Sequence, residues 1–289
     1  RNANENSIDD ITWNDLGMDD IFRMMNNTNS SAGQEYLYRM LRQPDADMES
    51  LKKLDKLATA IDKNASKRLE LQKIFVWIGR AKHISISDYC DVVVGLDKKS
   101  NALHYASLLF LVAAIVFTCV INPVIGIWLC IAAVAFSIIT YYKFKAGVDR
   151  YFICVNHIVK LLMGAGKITA LNVDFLEEYN IKLKNITEDL SDIMKRSWLL
   201  ETGNVDGSIM EIDYLRMLTH ADLIKFNNLI KLFHDKEKSI YELIDTLGFI
   251  ESSIAIASFR NMLDAWCIPE FKNDSDMQLE VKNVYHPLI

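Results

Sequence analysis

From Ser100 to Tyr142 the chain runs for 43 residues without an Asp, Glu, Lys or Arg. A single bilayer-crossing helix needs about 20 apolar residues. The run therefore predicts two spans, Ala102–Ile121 and Val124–Tyr142, with Asn122 and Pro123 between them. Asn is a favoured N-cap and Pro is favoured in the first helical turn, so this pair ends one helix and opens the next. One unbroken helix over the whole run would be about 60 Å long, about twice the hydrocarbon thickness. A buried helical hairpin in a soluble protein is the competing reading, but such helices keep a polar face and neither of these does.

The polar flanks give the hairpin an orientation. Lys98, Lys99, Lys143, Lys145 and Arg150 gather at its two outer ends, while the central turn is uncharged. The positive-inside rule then predicts a membrane location with both flanking regions cytoplasmic. Tyr105, Tyr141 and Tyr142 fall near the charged end, where an aromatic belt would sit, and Trp128 falls near the opposite interface.

Outside the run the pattern is helical. In residues 30–44, Ser31 and Gln34 have capping-box spacing and Pro44 follows the predicted end. Met48, Leu51, Leu54, Ala58 and Ile61 step along one face, and a further helix is predicted over 67–80. From Ile209 to Phe233 the apolar positions include Ile212, Leu215, Leu218, Phe226, Leu229 and Leu232, with no Gly or Pro before Gly248. That predicts one long strut. The last 25 residues differ: Pro269, NDSD (273–276) and the alternating MQLEVKN (277–283) predict a loop and then a short strand.

The fold class expected is all-α: an elongated helical bundle with long lever helices, an inserted transmembrane hairpin and a short β segment at the C-terminus. The expected divisions are 1–99, 100–142, 143–263 and 264–289. Only 11 Gly and 4 Pro in 289 residues agree with long helices. A net charge of -6 offers no electrostatic case for unaided nucleic-acid binding. The five cysteines are odd in number, lack metal spacing and fit reduced thiols.

Candidate chemistry is sparse. LLMGAGKIT (161–169) matches a phosphate-binding loop only in part: Gly166-Lys167 is followed by Ile168, and Leu161 stands where the first Gly belongs. A helix C-terminus at Gly164 or Gly166 is the expectation there. The six histidines show no metal-binding pair, and no catalytic residue is assigned.

Two stretches resemble the MutS family of DNA mismatch-repair ATPases. The first, 30–61, is similar to the start of the MutS core, through Gly33, Leu37, Leu41, Arg42 and Pro44. The second, 250–289, is similar to the last lever helix and the entry to the ATPase domain, through Ile250, Glu251, Ala255, Ala257, Pro269, His286 and Pro287. Tyr285 stands where the family has Arg, and Phe175-Leu176-Glu177 lies too far along the chain to be the family's mismatch-reading motif.

The resemblance implies the core and levers of a MutS-like protein, ending before its nucleotide domain, with His286 and Pro287 at the edge of that domain. It implies ATP and Mg for the full-length protein but no cofactor in this chain, membrane lipid and a homodimer partner, and DNA as a partner that the charge does not support. The expected function is a membrane-tethered relay of nucleotide state. The alternative is a non-enzymatic membrane-anchored scaffold that docks a protein partner.

Overall fold

The computed structural model describes residues 7–43, 47–81, 85–201, 210–270 and 280–288, without the side chains of 149–150, 197–201 and 210–213. Among the described residues the fold is all-helical, with no strand. The described part of the expected β segment, 280–283, is irregular, and Asn283 takes a left-handed φ of 54°. Among the described residues no second strand supplies a ladder, and a lone strand is not stable. Pro44, the NDSD stretch and residues 277–279 lie outside the described residues.

The chain divides into two compact units, Arg1–Arg80 with Leu171–Asn180 and Asp245–Ile289, and Ala81–Ala170 with Ile181–Ile244.

The first unit holds α1 (Asp10–Asp15), α2 (Met18–Met25), α3 (Ser31–Arg42), α4 (Met48–Lys63) and α5 (Ala65–Ile78). Side-chain caps fix several starts: Asp9 accepts from the N–H groups of Ile11 and Thr12, and Asp47 accepts from that of Ser50. Gly79, at φ 74°, stops α5. On α4 the buried face is Leu57, Ala58 and Ile61, whereas Met48 is exposed, so the predicted stripe holds only in its C-terminal half.

The second unit holds α6 (Ile86–Val94), α7 (Ala102–Val120), α8 (Pro123–Ala170), α10 (Ser191–Glu201), α11 (Met210–Thr219) and α12 (Ala221–Asp235). Two helices contribute to both units: α9 (Glu177–Asp189) and α13 (Glu237–Met262).

Three sequence expectations change here. The second apolar span does not end near Tyr142, because α8 continues unbroken for 48 residues. Gly164 and Gly166 lie inside it; the helix stops at Ala170, and Asn172 supplies the left-handed residue past its end. The predicted single strut is three helices, broken at His220, which has φ 54°, and at Lys236. No Gly or Pro marks either break, because tertiary contacts hold them. Gly248, by contrast, does not interrupt α13.

Candidate functional site

Two features stand out, one in each unit. In the second unit α7 and α8 pack as an antiparallel hairpin. At its tip Asn122 Oδ1 accepts from the N–H groups of Val124 (3.0 Å) and Ile125 (3.2 Å), capping α8 just as Pro123 opens it. The inward positions recur every three or four residues: His104, Ser107, Leu111, Ala114 and Thr118 on α7, and Gly126, Cys130, Ala133, Ser137 and Tyr141 on α8. Most are small, which lets the backbones approach. A Cβ on Gly126 would lie 2.5 Å from Thr118 Cα. Small residues at a helix–helix seam, with bulky apolar ones outside, are the arrangement used in lipid.

The outer faces of the hairpin are apolar and bare. Leu109, Val120, Trp128 and Ile139 are each about two-thirds exposed or more. An uncovered apolar surface of this extent calls for a nonaqueous neighbour. The described chain has three helices long and apolar enough to cross a membrane: Ala102–Val120, Pro123–Val148 and Tyr151–Ala170. Burial separates them: 17% of the first and 22% of the second is buried, against 56% of the third. The third segment carries Lys160 and Lys167 and buries Cys154, Val155, Ile158, Leu162 and Ile168, and α8 packs on α6 and α10. Protein covers much of it, whereas the outer faces of the other two are bare among the described residues.

The aromatic residues divide. Tyr105, Tyr142 and Trp128 are exposed on the hairpin surface, in the manner of an interfacial belt. Tyr141 does not join them. It points inward, and its hydroxyl donates to Asp222 Oδ2 at 2.7 Å. That contact partner lies 81 residues on, out of reach of any local pattern.

In the first unit the two stretches that carry the MutS resemblance meet. α3 is capped by Ser30, not Ser31: Ser30 Oγ accepts from the Gly33 N–H at 3.2 Å. In a capping box the residue three after the cap sends a carboxylate back to the cap's own N–H. That residue here is Gly33, which has no side chain. Glu251 of α13 takes the role from outside, accepting from the Ser30 N–H at 3.1 Å, from Ser30 Oγ and from the Asn29 N–H. The Gly33 position is full: a Cβ there would lie 2.1 Å from Glu251 Oε2.

One turn back on α13, Gly248 lets the backbone sit against α3, since its Cβ would lie 2.7 Å from the Ala32 carbonyl oxygen. Ser252 Oγ donates to the Gly33 carbonyl at 3.2 Å. Burial pushes the Glu251 carboxyl up to about 7, against the downward pull of its hydrogen bonds to Ser30 and Asn29. Leu37, Ile250, Ala255 and Ala257 are buried in this unit, while Leu41 is half-buried. Arg42 serves a different contact, stacking over the Trp13 ring and pairing with Asp10.

The remaining sequence candidates are not gathered into a site. His286 and Pro287 lie in an exposed terminal segment, where His286 Nδ1 accepts from the Leu288 N–H. Tyr285 folds back so that its hydroxyl donates to the Ala265 carbonyl. Leu161–Thr169 is continuous helix, so its N–H groups are used within α8 and cannot cradle a phosphate. No group of three metal-ligating side chains occurs among the described residues.

No family model, curated protein or solved structure matches the chain.

Proposed function

We propose that the chain is the membrane-held helical core of a MutS-like ATPase, relaying nucleotide state through its long helices. The observation that carries this reading is the meeting of Glu251 with Ser30 and Gly33. These positions lie in the two stretches that resemble the first core helix and the last lever helix of MutS, more than 200 residues apart in sequence. They form one buried clamp, with glycines on both helices where the backbones approach.

The hairpin supplies the tether. Its bare apolar outer faces meet lipid, its Asn122-Pro123 tip faces the far side, and Lys98, Lys99, Lys143 and Lys145 hold the base at the cytoplasmic headgroups. Both helical regions then work in the cytoplasm. The ATP and Mg chemistry belongs to the full-length protein. DNA binding draws no support from a chain of net charge -6.

The test is the natural full-length protein in nanodiscs. Mg-ATP should bind, promote dimerisation and change amide exchange along α13 relative to Mg-ADP. A full-length protein with no measurable nucleotide affinity, or one whose α13 exchange ignores the nucleotide, would sink the proposal.

A further inference from the structure

At the base of the hairpin sits a buried polar cluster that neither the anchor nor the relay requires. His104 on α7 and His220, at the junction between α11 and α12, are 1% and 0% exposed. Their Nδ1 atoms are 3.0 Å apart. His220 Nε2 lies 2.9 Å from the Ser137 carbonyl oxygen and 3.2 Å from Ser137 Oγ. Ser137 Oγ donates to the Leu218 carbonyl at 3.0 Å and accepts from Ser107 Oγ at 3.2 Å.

The acceptors fix the tautomers. A carbonyl oxygen can only accept, so His220 Nε2 carries a hydrogen. In the neutral ring Nδ1 is then a bare acceptor, and His104 Nδ1 must carry the hydrogen that joins the rings. Both neutral histidines are thus committed to one arrangement each.

One added proton is tolerated. With the pair singly charged, one hydrogen still lies between the two Nδ1 atoms, whichever ring carries the charge. A second proton is not tolerated, because it places an N–H on both Nδ1 atoms across 3.0 Å and two positive rings in one buried site. Among the described residues, three titratable or charged groups stand around the pair. From α12 comes Asp222, held by the Tyr141 hydroxyl; from α8 come Tyr141, whose ring packs on His220, and Lys145, above the Tyr141 ring. The Phe144 ring closes the side next to His104.

The cluster also determines local backbone shape. His220 is a non-glycine residue at φ 54° and makes no side-chain cap to α12. Its ring contacts hold the left-handed conformation, which is strained for a residue that carries a side chain.

We propose that the His104–His220 pair is a proton-operated latch that fastens the α11–α12 junction to the base of the hairpin and releases it when both rings are charged. The latch stands independently of the ATPase reading.

Amide hydrogen exchange of the full chain in nanodiscs tests it, comparing residues 216–224 at pH 7.5 and pH 5.5 with labelling times scaled for intrinsic exchange. Protection there should fall at least tenfold on acidification. In His104→Gln, whose amide donates without titrating, the fall should vanish. If that variant does not fold, His220→Asn replaces it, since Asn accepts positive φ. Equal protection at both pH values in the unaltered protein overturns the latch. So does an undiminished fall in the variant, which would assign the response to Asp222 or another group. A response abolished by EDTA also overturns it, by showing a metal between the rings.

Discussion

Gly33 is a glycine because Glu251 fills the place of its side chain. The carboxylate that caps α3 approaches from α13 and occupies the volume a Cβ would need. Two helices distant in sequence are thereby registered by a single buried acid.

Gly33→Ala should therefore destabilise the first unit by about 1–3 kcal/mol, the usual cost of overpacking. The double variant Gly33→Ala/Glu251→Ala should recover part of that loss, because the clash is removed with the acid. Thermal unfolding of the four members of the cycle measures the coupling, and strict additivity would show that the two positions do not interact.

Glu251 also gives stability a pH dependence. Its folded-state value, raised by burial to about 7 from 4.5, means that the folded state holds the proton more tightly than the unfolded one. The stabilisation is fully present below pH 4.5 and is lost as pH rises through 7, by an amount on the order of 3 kcal/mol. Glu251→Gln should flatten this slope between pH 4.5 and 7.5. A slope unchanged in the variant would assign it to another group.

At the hairpin tip, Gly126→Val should force α7 and α8 apart, since the nearest atoms include the Thr118 backbone and not only its flexible end. A loss of about 1–3 kcal/mol is expected, with a widened spacing between spin labels at Leu109 and Ile139. An unchanged spacing would mean that the seam is looser than the contacts indicate.

The tether has a topological signature. Cysteines placed at Lys99 and at Asn122 should be modified by a membrane-impermeant thiol reagent from opposite sides of sealed vesicles. Labelling of both from one side would remove the hairpin from the bilayer.

Some of this was legible in the sequence because it is local. The absence of charge over 43 residues marks the hairpin, and Asn122-Pro123 marks its turn, since both signals are carried by neighbours along the chain. What stayed hidden depends on distant partners. Ser30 rather than Ser31 caps α3 because Glu251 comes to meet it. Tyr141 turns away from the belt because Asp222 accepts its hydroxyl. The break at His220 has no Gly or Pro, and its left-handed backbone is held by rings and hydroxyls from α7 and α8. The continuation of α8 past Lys143 has no local mark for a different reason: a helix needs no breaker to leave an apolar medium, and charge alone does not end it.

That continuity has a mechanical consequence. A helix of 48 residues is about 70 Å long, and roughly half of α8 belongs to the bare hairpin. A transmembrane segment answers a thinner or thicker bilayer by changing its tilt. Pivoting α8 by 10° about its midpoint would carry each end sideways by about 6 Å. In the proposed membrane placement, bilayer thickness becomes an input to the core around Ile158 and Leu162.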